Sequence, residues 1–262
     1  MSGRHVICAL GNWESFEGIL KIIEKFEGFE LDLECSSISA DPRMERSFNA
    51  CIHAEDPWED IEFERIRQHT AVAYITTPYL HQSTCFNVAF DVLLLIGDLF
   101  ANANALAIKN ESSGLAHPMT MWMETAMDAI DGFNSDGMNQ AVFNLLADAF
   151  VKHNISDGDY LYSCGMHLLG FPEVKVDCSV GVDITYDCVC NMVRYMFEAR
   201  SKKLEIQLGQ TVNLGGNLFR ISFGTSTASP DDARYNSYGF VVLNAVSFEN
   251  IQSKGGWAFC LN

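Results

Sequence analysis

The chain has 262 residues, with 34 Asp plus Glu against 17 Lys plus Arg and a formal charge of -17, yet 48% of its residues are hydrophobic. That apolar fraction supports a packed core, so the acidity belongs to the surface and disorder is excluded. A surface of this sign repels nucleic acid and anionic lipid and attracts basic proteins.

Residues 6–10 are apolar, are bounded by Gly11-Asn12 and read as a first strand. The stretch is too short for the apolar region of a signal peptide and no small-residue cleavage site follows, which points to the cytoplasm. Along residues 13–26, Phe16, Ile19, Leu20, Ile23 and Phe26 recur at helical spacing, and Gly28 ends the helix. Residues 29–35 alternate Phe29, Leu31, Leu33 and Cys35 against Glu30, Asp32 and Glu34, the pattern of a strand with a wet, acidic face. Residues 47–54 read as another short strand. Asp56-Pro57-Trp58-Glu59 has the makings of a helix start, with Asp56 accepting free N–H groups, Pro57 at the first position and Glu59 completing a capping box. That helix runs to about Gln68.

Residues 71–76 form a buried strand by their Val, Tyr and Ile content. Residues 86–101 form a nearly all-apolar helix, and Asp91 and Asp98 within it argue against a membrane span. A strand at 105–109 follows, then a helix from Pro118 with Met119, Trp122, Met123 and Ala126 on one face. Residues 131–137, rich in Gly, Asn and Asp, read as the clearest loop, dividing an N-terminal α/β lobe (1–132) from a C-terminal α+β lobe (138–262), unless the two form one compact unit. The second half reads as a helix at 138–153, a hairpin of strands 160–169 and 173–178 around Gly170-Phe171-Pro172, and a helix at 184–199 with Val189, Val193, Met196 and Phe197 inward. Strands at 204–208, 218–223 and 239–246 end it. The whole is an α+β chain: two helix-on-sheet lobes with largely antiparallel strands.

The sequence carries no phosphate-binding glycine loop, dinucleotide turn, nucleophile elbow or H-E-x-x-H helix, and no cofactor is implied. Asp157-Gly158-Asp159 lacks the spacing of a calcium loop. Nine cysteines, an odd number set mostly in apolar patterns, read as buried thiols in a reducing compartment. Cys188 and Cys190 diverge by about 200° on a helix, so no shared metal is expected. Between Lys109 and His117 lie two hydroxyls, a carboxylate, a lysine and an imidazole. Ser112 or Ser113 as nucleophile with His117 as base would make a hydrolase. With no third group in view, a strand-to-helix loop with His117 as a cap is the preferred reading. The acidic residues Glu55, Asp56, Glu59, Asp60, Glu62 and Glu64 are the first candidate docking surface for a basic protein, and Glu30, Asp32 and Glu34 the second. The basic group Arg194, Arg200, Lys202 and Lys203 complements a helix C-terminus.

Tyr162-Ser163-Cys164-Gly165-Met166 followed by Gly170-Phe171-Pro172-Glu173 resembles the signature of an uncharacterised bacterial family, the domain-of-unknown-function series 4261. Its Tyr-Thr-x-Gly-Met run precedes Gly-x-Pro-Glu, a helix and a late Gly-x-Thr-Val, here Gly209, Gln210, Thr211 and Val212. Upstream, Ser112, Ser113, Gly114, Ala116, His117 and Trp122 are similar to its Ser-Gly-x-Ala-His…Trp pattern, while Cys164 and Pro118 depart from it. The family has no established reaction. Similar genes stand near secreted toxins and secretion systems, so the resemblance implies an immunity protein that binds a cognate toxin, a nuclease being one candidate. A hydrolase or a secretion-system adaptor are the alternatives.

Overall fold

The computed structural model describes residues 3–52, 58–156, 158–226, 235–246 and 258–260. The chain divides into two compact units, residues 1–151 with 168–170, and residues 152–167 with 171–262. The expected α+β class holds, with two mostly antiparallel sheets among the described residues.

The first unit is built on a five-stranded sheet. Its strands are β1 (Val6–Gly11), β2 (Glu30–Leu31), β3 (Ala71–Thr76), β4 (Ala107–Asn110) and β5 (Leu115–Ala116), in the order β2-β3-β1-β4-β5 and all antiparallel. Cys8 and Leu10 of β1 and Val72 of β3 point to one face, where they pack with Met44, Phe48, Trp58 and Ile66. These residues come from α2 (Met44–Asn49), α3 (Asp60–Arg67) and the segment before α3. Ile7, Ala9, Ala73 and Ile75 alternate with them and are equally buried, so the sheet is covered on both faces. Among the described residues the unit has four further helices: α1 (Glu17–Ile23), α4 (Cys85–Ala103), α5 (Met119–Asp136) and α6 (Gln140–Phe150). Helix α4 has the length and hydropathy to cross a bilayer, and it packs against α1, α5 and α6 within the unit. Its Asp98 is salt-bridged to Lys25 at 2.7 Å.

The second unit carries a seven-stranded sheet in the order β12-β9-β10-β11-β8-β7-β6. The strands are β6 (Lys152–Ser156), β7 (Tyr160–Cys164), β8 (Glu173–Asp177), β9 (Thr211–Leu214), β10 (Asn217–Gly224), β11 (Phe240–Ala245) and β12 (Ala258–Cys260). The expected β7–β8 hairpin pairs Tyr160 with Asp177, and β11 joins β8 in parallel, Phe240 opposite Glu173. Helix α7 (Val182–Ser201) lies against β6 to β9 and buries Val189, Val193, Met196 and Phe197 as expected.

Several expectations fail for identifiable reasons. The first helix begins only at Glu17, because Trp13 folds back on Gly11 and donates from Nε1 to the Ala103 carbonyl at 2.7 Å. A Cβ at Gly11 would stand 2.2 Å from that indole, so only glycine fits there. The strand at 29–35 shrinks to Glu30–Leu31, since Asp32 Oδ1 accepts the N–H groups of Glu34 (3.0 Å) and Cys35 (3.1 Å) and turns the chain. The strand expected at 47–54 is replaced over its first residues by α2 (Met44–Asn49), and Ile52 makes only an isolated bridge to Ala116, while residues 53 and 54 lie outside the described residues. Residues 131–136 are the last turns of α5, and the division between units falls at Val151 rather than near Gly132. Residues 204–208 are a connection, with Leu204 bonded back to the Ala199 carbonyl at 2.7 Å as α7 ends. The proposed start at Asp56 and Pro57 lies outside the described residues, and α3 has Glu59 as its N-cap without a side-chain bond.

Candidate functional site

Ser112, Ser113 and Gly114 form the tip of the β4–β5 hairpin, with Gly114 in the left-handed region at φ 61°. Ser112 Oγ donates to the Arg4 carbonyl at 2.7 Å and accepts from the Val6 N–H at 3.1 Å. Asn110 Oδ1 accepts the Ser112 N–H at 3.0 Å, and its Nδ2 lies 2.9 Å from His5 Nδ1. The hairpin tip is thus stitched to the chain entering β1. Ser113 Oγ is buried without a hydrogen-bond partner among the described residues. His117 is buried, with Nε2 3.2 Å from the Ala149 carbonyl and its ring edge-on to Trp122 at 4.6 Å. Trp122 donates from Nε1 to the Ile108 carbonyl at 3.1 Å. Neither serine hydroxyl is bonded to His117, so a nucleophile–base pair is not assembled here. His117 is not a cap either: Pro118 holds the N-cap position of α5, without a side-chain bond.

The signature segment builds a carboxylate cradle within the second unit. Glu173 shares the alternating polar positions of its strand with Lys175 and Asp177, yet its side chain is only 2% exposed. Its Oε2 accepts from Ser163 Oγ (2.7 Å) and the Met166 N–H (3.2 Å). Its Oε1 accepts from the N–H groups of Gly165 (3.2 Å) and His167 (3.3 Å), from His167 Nδ1 (3.1 Å) and from Asn236 Nδ2 (3.1 Å). Gly165, at φ 115°, lets the chain leave β7 so that three successive N–H groups converge on one anion. Ser163 Oγ also accepts the Val174 N–H at 2.9 Å, and Asn236 Nδ2 holds the Phe171 carbonyl at 2.9 Å. Met166 fills the core beneath, Gly170 turns the chain at φ 77°, and Pro172 leads into β8. Among the described residues, every group bonded to the carboxylate donates, and little of it meets solvent. The cradle is a structural lock, not a reacting centre.

A second polar cluster joins Lys109 and Glu111, legible in the sequence as neighbours, to partners that the sequence does not place beside them. Tyr74, Cys8 and Lys109 stand in register across β3, β1 and β4. Lys109 is 0% exposed; Nζ bonds Ser47 Oγ, pairs with Glu111 Oε1 at 2.9 Å and sits 5.2 Å from the centre of the Phe48 ring. Burial pushes the Cys8 thiol up to about 12 despite the neighbouring lysine, and it raises the Tyr74 hydroxyl as well. A thiol held neutral beside a paired, inaccessible ammonium supplies no nucleophile. Among the described residues, no group of three or more His, Cys, Asp or Glu side chains is placed to hold a metal ion.

The docking candidates separate into three groups. Glu59, Asp60 and Glu64 are exposed on and before α3, and Glu30 and Glu34 are exposed around β2. Glu62 is 8% exposed and bound to Arg65 through both carboxylate oxygens at 3.0 and 3.1 Å, so it is withdrawn from the surface set. Asp32 is half-buried and occupied by its turn, whose backbone N–H groups hold its carboxyl below the usual range. Glu55 and Asp56 lie outside the described residues. Arg65 and Arg67 further offset the charge of α3, Arg67 reaching Glu45 at 2.6 Å. At the basic cluster, Arg200 stacks over Phe171 at 4.9 Å and Lys202 pairs with Glu198, which accounts for both without a ligand.

One feature that sequence reading missed is a surface groove of about 400 Å³ between α4 and α5. Its walls are apolar, and Met127 stands 61% exposed at its edge. The signal was in the sequence: Met123, Met127 and Ile130 repeat at helical spacing on the flank next to the buried Trp122, Ala126 and Ala129. Compared with known protein families, curated proteins and solved structures, the chain matches none.

Proposed function

We propose that the chain is an acidic, immunity-type binding protein that neutralises a cognate bacterial toxin by direct contact in the cytoplasm. The observation that carries this reading is the charge of -17 displayed by a chain whose candidate reactive groups are tied into the fold. Ser112 is held by backbone at both ends, Glu173 is locked among donors, and Lys109 is sealed in the core. Exposed carboxylates at Glu30, Glu34, Glu59, Asp60 and Glu64 are free to meet a basic surface, such as the substrate groove of a nuclease. The resemblance of residues 162–174 to the series-4261 signature supports the same reading. A hydrolase would require Ser112 to leave both Arg4 and Val6, or the buried Ser113 hydroxyl, which makes no bond to His117, to gain a base and a path to substrate.

The test is co-expression of the chain with the product of the neighbouring gene in a susceptible cell, followed by purification of the pair. Protection, a stoichiometric complex and an association rate that falls steeply with salt are expected. Protection that requires His117 while no complex forms would replace binding with catalysis. No protection and no complex would end the reading.

A further inference from the structure

We propose that the groove between α4 and α5 is the seat for a cationic amphipathic helix of the partner. The inference rests on the binding reading above and names the surface and the element it captures. The floor is shallow because small residues line the approach of the two helices, Gly97 and Ala101 on α4 and Ala126 on α5. A Cβ built on Gly97 would lie 3.7 Å from that of Ala126, so the helices meet at that point and the groove opens above it. Met123, Met127 and Ile130 of α5 form the wall, with Met127 and Ile130 61% and 37% exposed. Three apolar side chains at positions i, i+4 and i+7, Met123 partly and the other two more open to solvent, match the stripe that an amphipathic helix presents in return. Methionine suits such a seat, because its flexible thioether moulds to a ridge of side chains.

The charge pattern selects the sign of the occupant. Glu124, Asp128 and Asp131 form a second row at i, i+4 and i+7 on α5, all exposed and running beside the methionine wall. Like charges at that spacing repel one another. From residue 68 to residue 151 the sequence offers only Lys109 as a Lys or Arg, and it is buried against Glu111. At the other rim Asp98 is shared by Lys25 and Asn102. A helix whose apolar stripe enters the groove would set its Lys and Arg residues against this row, which has no salt-bridge partner among the described residues, relieving the repulsion and burying the exposed methionine together.

The probe is a fluorescent Leu/Lys peptide about five turns long with apolar residues at i, i+3, i+4 and i+7, compared with a scrambled peptide of equal composition. Anisotropy titrations on the full chain should show the amphipathic peptide binding about tenfold or more tightly than the scrambled one. M127E should weaken it about tenfold, and D128K/D131K by at least as much, while D183K/D187K on α7, an equal change in net charge, should leave it near wild type. Circular dichroism confirms that each variant is folded. Equal binding of both peptides, with D183K/D187K as damaging as D128K/D131K, would overturn the groove and leave a purely electrostatic binder. Self-association of the chain that M127E abolishes would assign the groove to a second copy and overturn the proposal. Failure of the peptides and of a basic protein such as lysozyme to bind at low salt would remove the binding reading itself.

Discussion

Replacing Glu173 by Gln keeps the shape of the side chain and removes one acceptor, so it probes the cradle with little change in packing. The new NH₂ group must face either the four donors at Oε1 or the two at Oε2. The second orientation costs less, because the Ser163 hydroxyl can rotate and only the Met166 N–H is left without an acceptor. One orphaned buried donor costs about 1–3 kcal/mol, and the remaining bonds lose their charge assistance at several tenths of a kcal/mol each. A loss of about 3–5 kcal/mol follows, a large share of the roughly 5–15 kcal/mol that stabilises a typical domain. Equilibrium urea unfolding by circular dichroism measures it, with E205Q at an exposed site as the control. Hydrogen exchange on peptides spanning residues 160–177 should accelerate in E173Q and stay unchanged in the control. A stability loss below about 1 kcal/mol would refute the view that this carboxylate organises the segment.

Lys109→Ala leaves Glu111 and Ser47 facing an apolar void and should cost about 3–5 kcal/mol by urea unfolding, with Lys109→Met recovering part of it; a loss under about 1 kcal/mol would contradict a structural role for the pair. The Arg43 side chain draws the Asp41 carboxyl down to about 2, below its unfolded value near 4, so the stability it supplies is present above pH 4 and lost as pH falls toward 2. In D41N the urea midpoint should fall less over that window than in wild type. Native alkylation with iodoacetamide should modify exposed Cys35 first and leave Cys8 and Cys188, whose thiols burial pushes up to about 12 and about 11, protected until the chain unfolds. Because hydrogen bonding to Asp32 raises the Cys35 thiol, its rate should climb steadily on going from pH 7 to pH 9.

Periodicity gave a sound guide wherever one physical cause set the pattern. β1, β3, α4, β8, β10, β11 and α7 were legible because burial alone selected their apolar spacing. Elsewhere two causes competed. Residues 29–35 alternate in charge, but a side-chain bond from Asp32 turns the chain and leaves Leu33 71% exposed. Met44, Phe48 and Cys51 stand at helical spacing, but the period starts before the stretch 47–54, within which only Phe48 and Cys51 carry it. Gly132 looked like part of a turn; a Cβ there would lie 3.2 Å from Val142, so close packing of α6 explains the glycine inside a helix. The polar clusters were harder for a different reason. Lys109 meets Ser47 across 62 residues and Glu173 meets Asn236 across 63, and no local pattern encodes such pairings.

The reach from Asn236 to Glu173 also fixes an order of events at the ribosome. The β7–β8 hairpin leaves the exit tunnel early, with most of its donors already near the carboxylate, yet one ligand and the parallel neighbour strand β11 lie more than sixty residues downstream. Until they are synthesised, the edge of β8 that β11 will occupy is a row of open backbone groups. Nascent chains stalled before residue 236 therefore carry an unsealed sheet, and those extended past β11 have the means to close it.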